Sequence, residues 1–310
     1  MKSKVIVLGA SGRFGRAAVR AFINEGWEVS AFVRRPPNEA FGDGVTVVTG
    51  DAFDSVSLAE ACQSHAVIIN AINPLYKNWE RDVPVLTSNV IAAAKSTLAT
   101  VMIPGNIYNY GNKLPSVLDE NTEWLPSVRK GRLRIEMENT YRGAAEDGLR
   151  TIVLRGGDFM EGKATGNWFE DHIANKVHQD RITYPGPMDL RHAWAYLPDM
   201  AKAMAQLAEF RGKFQSFEEF NYEGYNLTGN ELVIAIERVM GSKLKRRQFP
   251  WFIVHLASIF SKQIREVREM RYLWQRAHSM DGAKLKRALP DFEPTPLEDA
   301  MRECLASLPK

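Results

Sequence analysis

Cysteine is nearly absent. Cys62 and Cys304 are the only two among 310 residues, and they form no CxxC pair. A disulfide framework and a thiolate metal cluster are therefore excluded as organising devices, and a reducing, cytoplasmic setting is expected. The six histidines show no HExxH or other paired ligand spacing, so no metal site is expected. No run of about 18 apolar residues occurs, so no membrane span is expected. The nearest candidate, FPWFIVHLASIF at 249–260, is short and interrupted by Pro250 and His255. The opening MKSKVIVLGASG has an apolar run that breaks at Gly9, too short to expect a secretory leader. Charge of one sign is also scarce. The formal net charge of +3 is too small to argue for nucleic acid without a concentrated patch. KLKRR at 243–247 is such a patch on a small scale, but five residues beside one apolar segment read as a solvated edge. Neither a nucleic acid nor a membrane is expected as a partner. Internal repeats and low-complexity linkers are absent too.

What is present is an ordinary globular composition, 45% hydrophobic and 25% charged, in a chain long enough for one large domain or two fused ones. The first half alternates strand-like and helix-like segments. Strands are predicted at 4–10, 28–34, 45–51, 66–72, 100–106 and 150–159. Helices are predicted at 13–25, 57–63, 83–96 and 128–146. This alternation predicts an α/β fold, a doubly wound parallel sheet of Rossmann type with helices on both faces. After residue 158 aromatics, Gly and Pro become frequent, and helices are predicted at 198–210, 229–241, 251–277 and 295–308. The expected organisation is a cofactor-binding domain at 1–158. A smaller, mostly helical substrate-covering part follows at 159–310, with some segments returning to the sheet.

VIVLGASGRFG places Gly9, Gly12 and Gly15 between the first strand and the first helix. Gly9 permits a tight turn, Gly12 lets backbone approach a pyrophosphate, and Gly15 lets helix and strand pack closely. The helix N-terminus adds N–H donors and its dipole. Some 20 residues on, an NAD site would present Asp or Glu to the ribose 2′-hydroxyl; here the second strand ends in Val33-Arg34-Arg35-Pro36. Cations at Arg34 and Arg35 suit the 2′-phosphate of NADP, with Arg13 in the loop placed to help. Asp51, after the third strand, is positioned to accept from the adenine amino group, with Ala52 beside it; the alternative is that Asp51 caps the next helix.

These residues, in this order, resemble the extended and atypical members of the short-chain dehydrogenase/reductase superfamily, above all the NAD-dependent epimerase/dehydratase family. GASGRFG is similar to the TGxxGxxG-type loop, and TGDAFD to the segment with the adenine-side Asp. INAINP resembles the NAG-like segment after the fourth strand. PGNIYNYG resembles the segment where members carry Ser or Thr followed by a YG pair. HAWAYLPDMAKA resembles the strand-and-helix segment near the substrate. The resemblance covers most of the chain and is loosest in the C-terminal third. It implies an NADP cofactor held by Gly9, Ser11, Gly12, Arg13, Phe14, Gly15, Arg34, Arg35, Asp51, Ala52, Asn70, Ala71, Ile72, Pro104, Gly105 and Lys130. It also implies a small-molecule substrate and is compatible with a homodimer.

The departures bear on catalysis. The superfamily's YxxxK pair falls on Lys130-Gly131-Arg132-Leu133-Arg134, so lysine stands in the tyrosine's place and arginine in the lysine's. Gly105-Asn106 occupies the Ser position. KxxxR followed by Ile135-Glu136 is also similar to the isoflavone-reductase-like branch, where a lysine near this helix start acts in place of tyrosine. Lys130 and Arg134 share a helix face, beside a stripe of Leu133, Met137 and Tyr141 expected to be buried. Neighbouring cations would bring a lysine towards working pH, making Lys130 a candidate acid or base. The alternative is a solvated face with Arg132–Glu136 and Arg134–Glu138 pairs. Tyr108 and Tyr110 are rival proton donors, and Asn106 is a candidate to bond a substrate oxygen, or else to serve turn chemistry. Asn73, Tyr76, Trp168, His192 and Trp194 are the candidate substrate contacts, with Trp79 and Tyr196 in the same segments; an aromatic-lined pocket is one reading of the set, and core packing the alternative for any single aromatic. Hydride transfer on a small carbonyl, alcohol or sugar-like substrate is the expected activity, and a non-catalytic NADP-binding regulator the alternative.

Overall fold

A computed structural model describes residues 3–36, 39–162 and 166–308. Its strands run β1 (Lys4–Leu8), β2 (Glu28–Val33), β3 (Thr46–Thr49), β4 (Val67–Asn70), β5 (Thr100–Gly105), β6 (Val117–Leu118) and β7 (Thr151–Arg155). They continue with β8 (Asp158–Met160), β9 (Arg181–Tyr184), β10 (Arg191–Tyr196), β11 (Phe217–Asn221), β12 (Tyr225–Thr228), β13 (Lys245–Gln248) and β14 (Ser279–Met280). The helices are α1 (Arg13–Asn24), α2 (Ser55–Ala61), α3 (Trp79–Thr97), α4 (Arg129–Glu146), α5 (Leu197–Glu209) and α6 (Gly229–Met240). They are followed by α7 (Trp251–Phe260), α8 (Lys262–Glu269), α9 (Arg271–Trp274), α10 (Ala283–Ala288) and α11 (Leu297–Ala306).

Seven strands form one parallel sheet in the order β11-β7-β5-β4-β1-β2-β3. Side chains alternate across it. Val5, Val7 and Ile69 meet α1 and α5 on one face. Ile6, Leu8, Ile68 and Val101 meet α2, α3 and α4 on the other. Burial on both faces explains why KVIVL reads as an unbroken apolar run rather than an alternating one. The expected doubly wound sheet is therefore observed. The chain after residue 158 rejoins it: α5 packs on α1, and β11 extends the edge beside β7.

The helical C-terminal region carries small sheets as well, β12-β10-β8, β13-β9 and β14-β6. The predicted strand 150–159 divides at Gly156-Gly157, where β10 crosses closely; a Cβ on Gly157 would lie 2.1 Å from the Ala193 carbonyl oxygen. The predicted helix 251–277 is three helices. Ser261 is extended (φ −127°, ψ 119°) and its hydroxyl accepts from the Ile264 N–H, so a local cap replaces helix continuation. The helix predicted from 83 begins earlier, at Trp79, whose buried ring is anchored by Nε1 donating to the Pro74 carbonyl at 3.0 Å.

His278, just before β14, is fully buried beside His192 at a 4.5 Å ring separation. Burial first, then the neighbouring His192, pulls its pKa from 6.5 down to about 3. The unfolded chain thus binds a proton that the folded chain refuses. Stability on this account is complete above about 6.5 and is lost as pH falls towards 3, by up to about 1.4 kcal/mol per unit. His278→Asn is expected to flatten the acid limb of a Tm–pH profile relative to wild type. Identical limbs would refute the assignment.

Candidate functional site

Strand order reverses between β1 and β4, and the crevice beyond their C-terminal ends is where open α/β sheets bind ligands. Gly9 sits there at φ +74°, and a Cβ on it would lie 3.0 Å from the Ala71 carbonyl oxygen. The Gly12 N–H closes the turn onto the Gly9 carbonyl at 2.9 Å. A Cβ on Gly15 would lie 2.2 Å from the Gly9 oxygen and 2.8 Å from Ala10 Cα, so only glycine lets α1 start this close to β1. Phe14 is buried under the loop and Ser11 is exposed at its tip. Gly12 is the N-cap of α1, with no side-chain cap and no acidic residue in the first turn. The free N–H groups of that turn suit a diphosphate.

Around this cradle the other cofactor candidates converge. Ala71 N–H bonds the Leu8 carbonyl at 3.1 Å. Asn70 fixes the turn after β4: its Oδ1 accepts from the Ile72 N–H at 3.3 Å and its Nδ2 donates to the Tyr141 hydroxyl at 3.0 Å. Pro104 and Gly105 end β5, with Gly105 pressed on Val153 and Arg155. Arg34 and Arg35 are exposed just beyond β2 and ion-pair with no carboxylate among the described residues. Asp51 accepts from the Phe53 N–H at 3.0 Å, while the cap of α2 is Asp54, so the capping role weighed for Asp51 belongs to its neighbour. Asn89 Nδ2 holds the Ala52 carbonyl at 2.9 Å. The Arg13 guanidinium donates to the Gly166 carbonyl in the substrate-covering part.

A second cluster lies past β5. Tyr108 is half-buried; burial, then the Tyr76 phenol and the Asp158 carboxylate, push its pKa well above the usual 10. Asn106 Oδ1 accepts from the Tyr108 N–H at 3.0 Å, so its turn role is realised. Arg134 lies 4.9 Å over the Trp79 ring with its Nε unpartnered. Its pKa is lowered by burial against the pull of Glu138, Tyr76 and Tyr108. Trp168 packs against His172, Phe249 and Trp274. Asn73 is exposed on the loop after β4.

A profile of the NAD(P)H-binding family matches residues 9–182, more than half of the chain. The chain belongs to this NAD(P)H-binding family. Solved structures share its fold from end to end. UDP-glucose 4-epimerase from Brucella ovis, in complex with NAD, superposes with a TM-score of 0.77 at 17% identity, covering 99% of each chain. The Bifidobacterium longum UDP-glucose 4-epimerase, in complex with NAD+ and UDP, gives 0.77 at 14% identity over 98% of each. UDP-N-acetylglucosamine 4-epimerase from Bacillus cereus gives 0.72 at 17% identity over 98% of each. At such identities the likeness is one of fold alone. No curated protein sequence matches the chain.

In this NAD(P)H-binding protein the cationic start of α4 has an explanation the sequence did not disclose. Cations at a helix N-terminus oppose the dipole. Here α8 supplies the missing anions. Glu269 accepts from the Arg129 backbone N–H at 2.8 Å, a cap donated from 140 residues away. Glu266 pairs with Arg129 at 3.0 Å and with Lys130 Nζ at 2.8 Å, and Glu269 with Lys130 at 3.6 Å. Lys130 is 1% exposed and also lies 4.4 Å over the Tyr76 ring. The expected crowding of Lys130 by cations is thus corrected to a carboxylate cage. The alternative Arg134–Glu138 pair does not form either, because Glu138 is taken by Arg155 at 2.7 Å. The stripe of Leu133, Met137 and Tyr141 is buried as expected.

Two further expectations change. Trp194 is fully buried in the second core and offers no face to a substrate. Tyr110, 2% exposed and against Arg155, is core as well; burial lifts its pKa to about 12. His192 is covered by Trp274, stacked at 4.0 Å, and bonds Asp158 at 2.8 Å, so it meets the cluster only through that carboxylate. Asp158 and Tyr272, both of which act on the Tyr108 phenol, are the cluster residues that sequence reading passed over. Among the described residues no group of His, Cys, Asp and Glu could hold a metal ion.

Proposed function

We propose that this protein is a cytoplasmic NADP-dependent oxidoreductase or epimerase-like enzyme. It acts on a small carbonyl, alcohol or sugar-like substrate without the usual tyrosine–lysine pair. The observation that carries the cofactor choice is the pair Arg34 and Arg35, exposed one step beyond β2 and without ion-pair partners among the described residues. The glycine loop and the first turn of α1 would hold the diphosphate, Arg34 and Arg35 the 2′-phosphate, and Asp51 with Ala52 the adenine. Asn70 to Ile72, Pro104 and Gly105 would line the nicotinamide side. When bound, the cofactor supplies the hydride exchanged with a substrate carbon.

The chain's own part is the proton. Tyr108 keeps its phenol protonated at working pH and sits among Tyr76, Asp158 and Arg134, so it can donate to a substrate oxygen while Arg134 stabilises the charge left behind. Asn106, Asn73, Tyr76 and Trp168 frame the space where that oxygen would lie. The enclosure of Lys130 by Glu266 and Glu269 favours a second reading, a non-catalytic NADP-binding regulator in which that lysine locks α4 to α8.

Purified protein with NADPH and a panel of aldehydes, ketones and nucleotide sugars separates the two. NADPH oxidation with any member supports the enzyme, and tight NADPH binding with no turnover across the panel supports the regulator. Arg34→Asp is expected to lower the NADPH-over-NADH affinity ratio roughly ten- to a hundredfold, the worth of one charge-assisted hydrogen bond. Calorimetric titration with both coenzymes measures it, and an unchanged ratio would defeat the role given to Arg34.

A further inference from the structure

We propose that α7 and its basic flanks dock this protein on an anionic lipid surface, a partner that the sequence reading did not expect. Phe252, Ile253, Leu256, Ile259 and Phe260 are 74%, 63%, 48%, 60% and 90% exposed. At about 100° per residue they share one arc of roughly 120°. The packed side of α7 carries Trp251, Val254, Ala257 and Ser258, with Trp251 against the second core. Ser258, 1% exposed, donates to the His255 carbonyl at 2.7 Å and receives Arg268 at 2.9 Å. The helix thus has apolar side chains on both sides, and the five of this arc face water. A contiguous arc of this kind marks an interaction surface rather than scattered exposure. Among the described residues no helix is long and apolar enough to cross a membrane, so the arc suits a helix lying in the interface.

Charge decides the occupant. Just before α7, β13 exposes Lys245, Arg246 and Arg247. Beyond the C-terminal end of α7, α8 exposes Lys262, Arg265 and Arg268 along a charged hollow of about 610 Å³, with Arg265 and Arg268 bonded to Ser258. None of these six forms an ion pair among the described residues, whereas the acids nearby, Glu80, Glu266 and Glu269, are engaged by Arg129 and Lys130. An apolar strip whose two neighbouring segments expose cations matches acyl chains beneath anionic headgroups. A second copy fits poorly, because a two-fold contact through the strip brings two sets of like-charged side chains together.

The test is vesicle flotation of the full-length protein with phosphatidylcholine alone and with phosphatidylcholine–phosphatidylglycerol mixtures. The protein is expected to float with the mixed vesicles, and less as salt rises. Phe252→Ser/Phe260→Ser and Lys245→Glu/Arg247→Glu are each expected to weaken that binding by about tenfold or more. Both leave Tm and NADPH affinity unchanged, which separates lost docking from misfolding and keeps the result independent of the reading of the active site. Failure of the wild type to float with mixed vesicles at low salt overturns the proposal. So does undiminished flotation of the variants. A dimer that the serine variant dissociates, with no vesicle binding by the wild type, would instead put a second copy on this face.

Discussion

Replacing Arg155 by methionine is expected to lower the unfolding free energy by about 3–5 kcal/mol, the largest stability effect in the molecule. Arg155 ends β7 and is 1% exposed. It pairs with the fully buried Glu138 at 2.7 Å and with Glu219 at 2.7 Å, and it donates to the Asn106 carbonyl at 2.8 Å. Burial alone would lower its pKa, but Glu138 and Glu219 more than reverse that, so it is raised and the cation persists across all accessible pH. The loss falls on Glu138, which is left as a charge in the protein interior. Glu219 keeps Arg142 at 2.8 Å and some access to water. The double variant Arg155→Met/Glu138→Leu should therefore recover part of the deficit. Urea titrations followed by circular dichroism measure both, and a single variant within about 1 kcal/mol of wild type would refute the account.

Tyr108→Phe should lower kcat by about 10²- to 10⁴-fold with little change in KM, the contribution of a placed proton donor. The phenol is an acid whose pKa is raised, so it loses its proton only well above pH 10. No tyrosine-dependent limb should appear in kcat near neutrality. Turnover by the phenylalanine variant at the wild-type rate would remove Tyr108 from the chemistry. Lys130→Ala is the companion measurement. A lower kcat together with a lower Tm marks Lys130 as a clamp between α4 and α8. A lower kcat at unchanged Tm marks its ammonium as the acid instead.

The part of the site legible in the sequence is the part built from near neighbours along the chain. Gly9, Gly12 and Gly15 act on one another within seven residues, and the apolar run before them and the periodic helix after them name their context. Arg34 follows its strand directly. The cluster past β5 is different. Asp158 finds His192 across 34 residues and Arg129 finds its cap across 140, so neither pairing leaves a local trace. KRRQ became a strand because β9 holds its backbone, in spite of its composition.

The sequence by itself determined the doubly wound sheet and the anion cradle at its first turn, since both follow from hydrophobic period and glycine spacing over short stretches. Only the tertiary structure decided the state of Lys130, the burial of Trp194 and the outward turn of α7. A side chain's charge environment and exposure depend on which distant segments pack against it, and spacing along the chain carries no record of them.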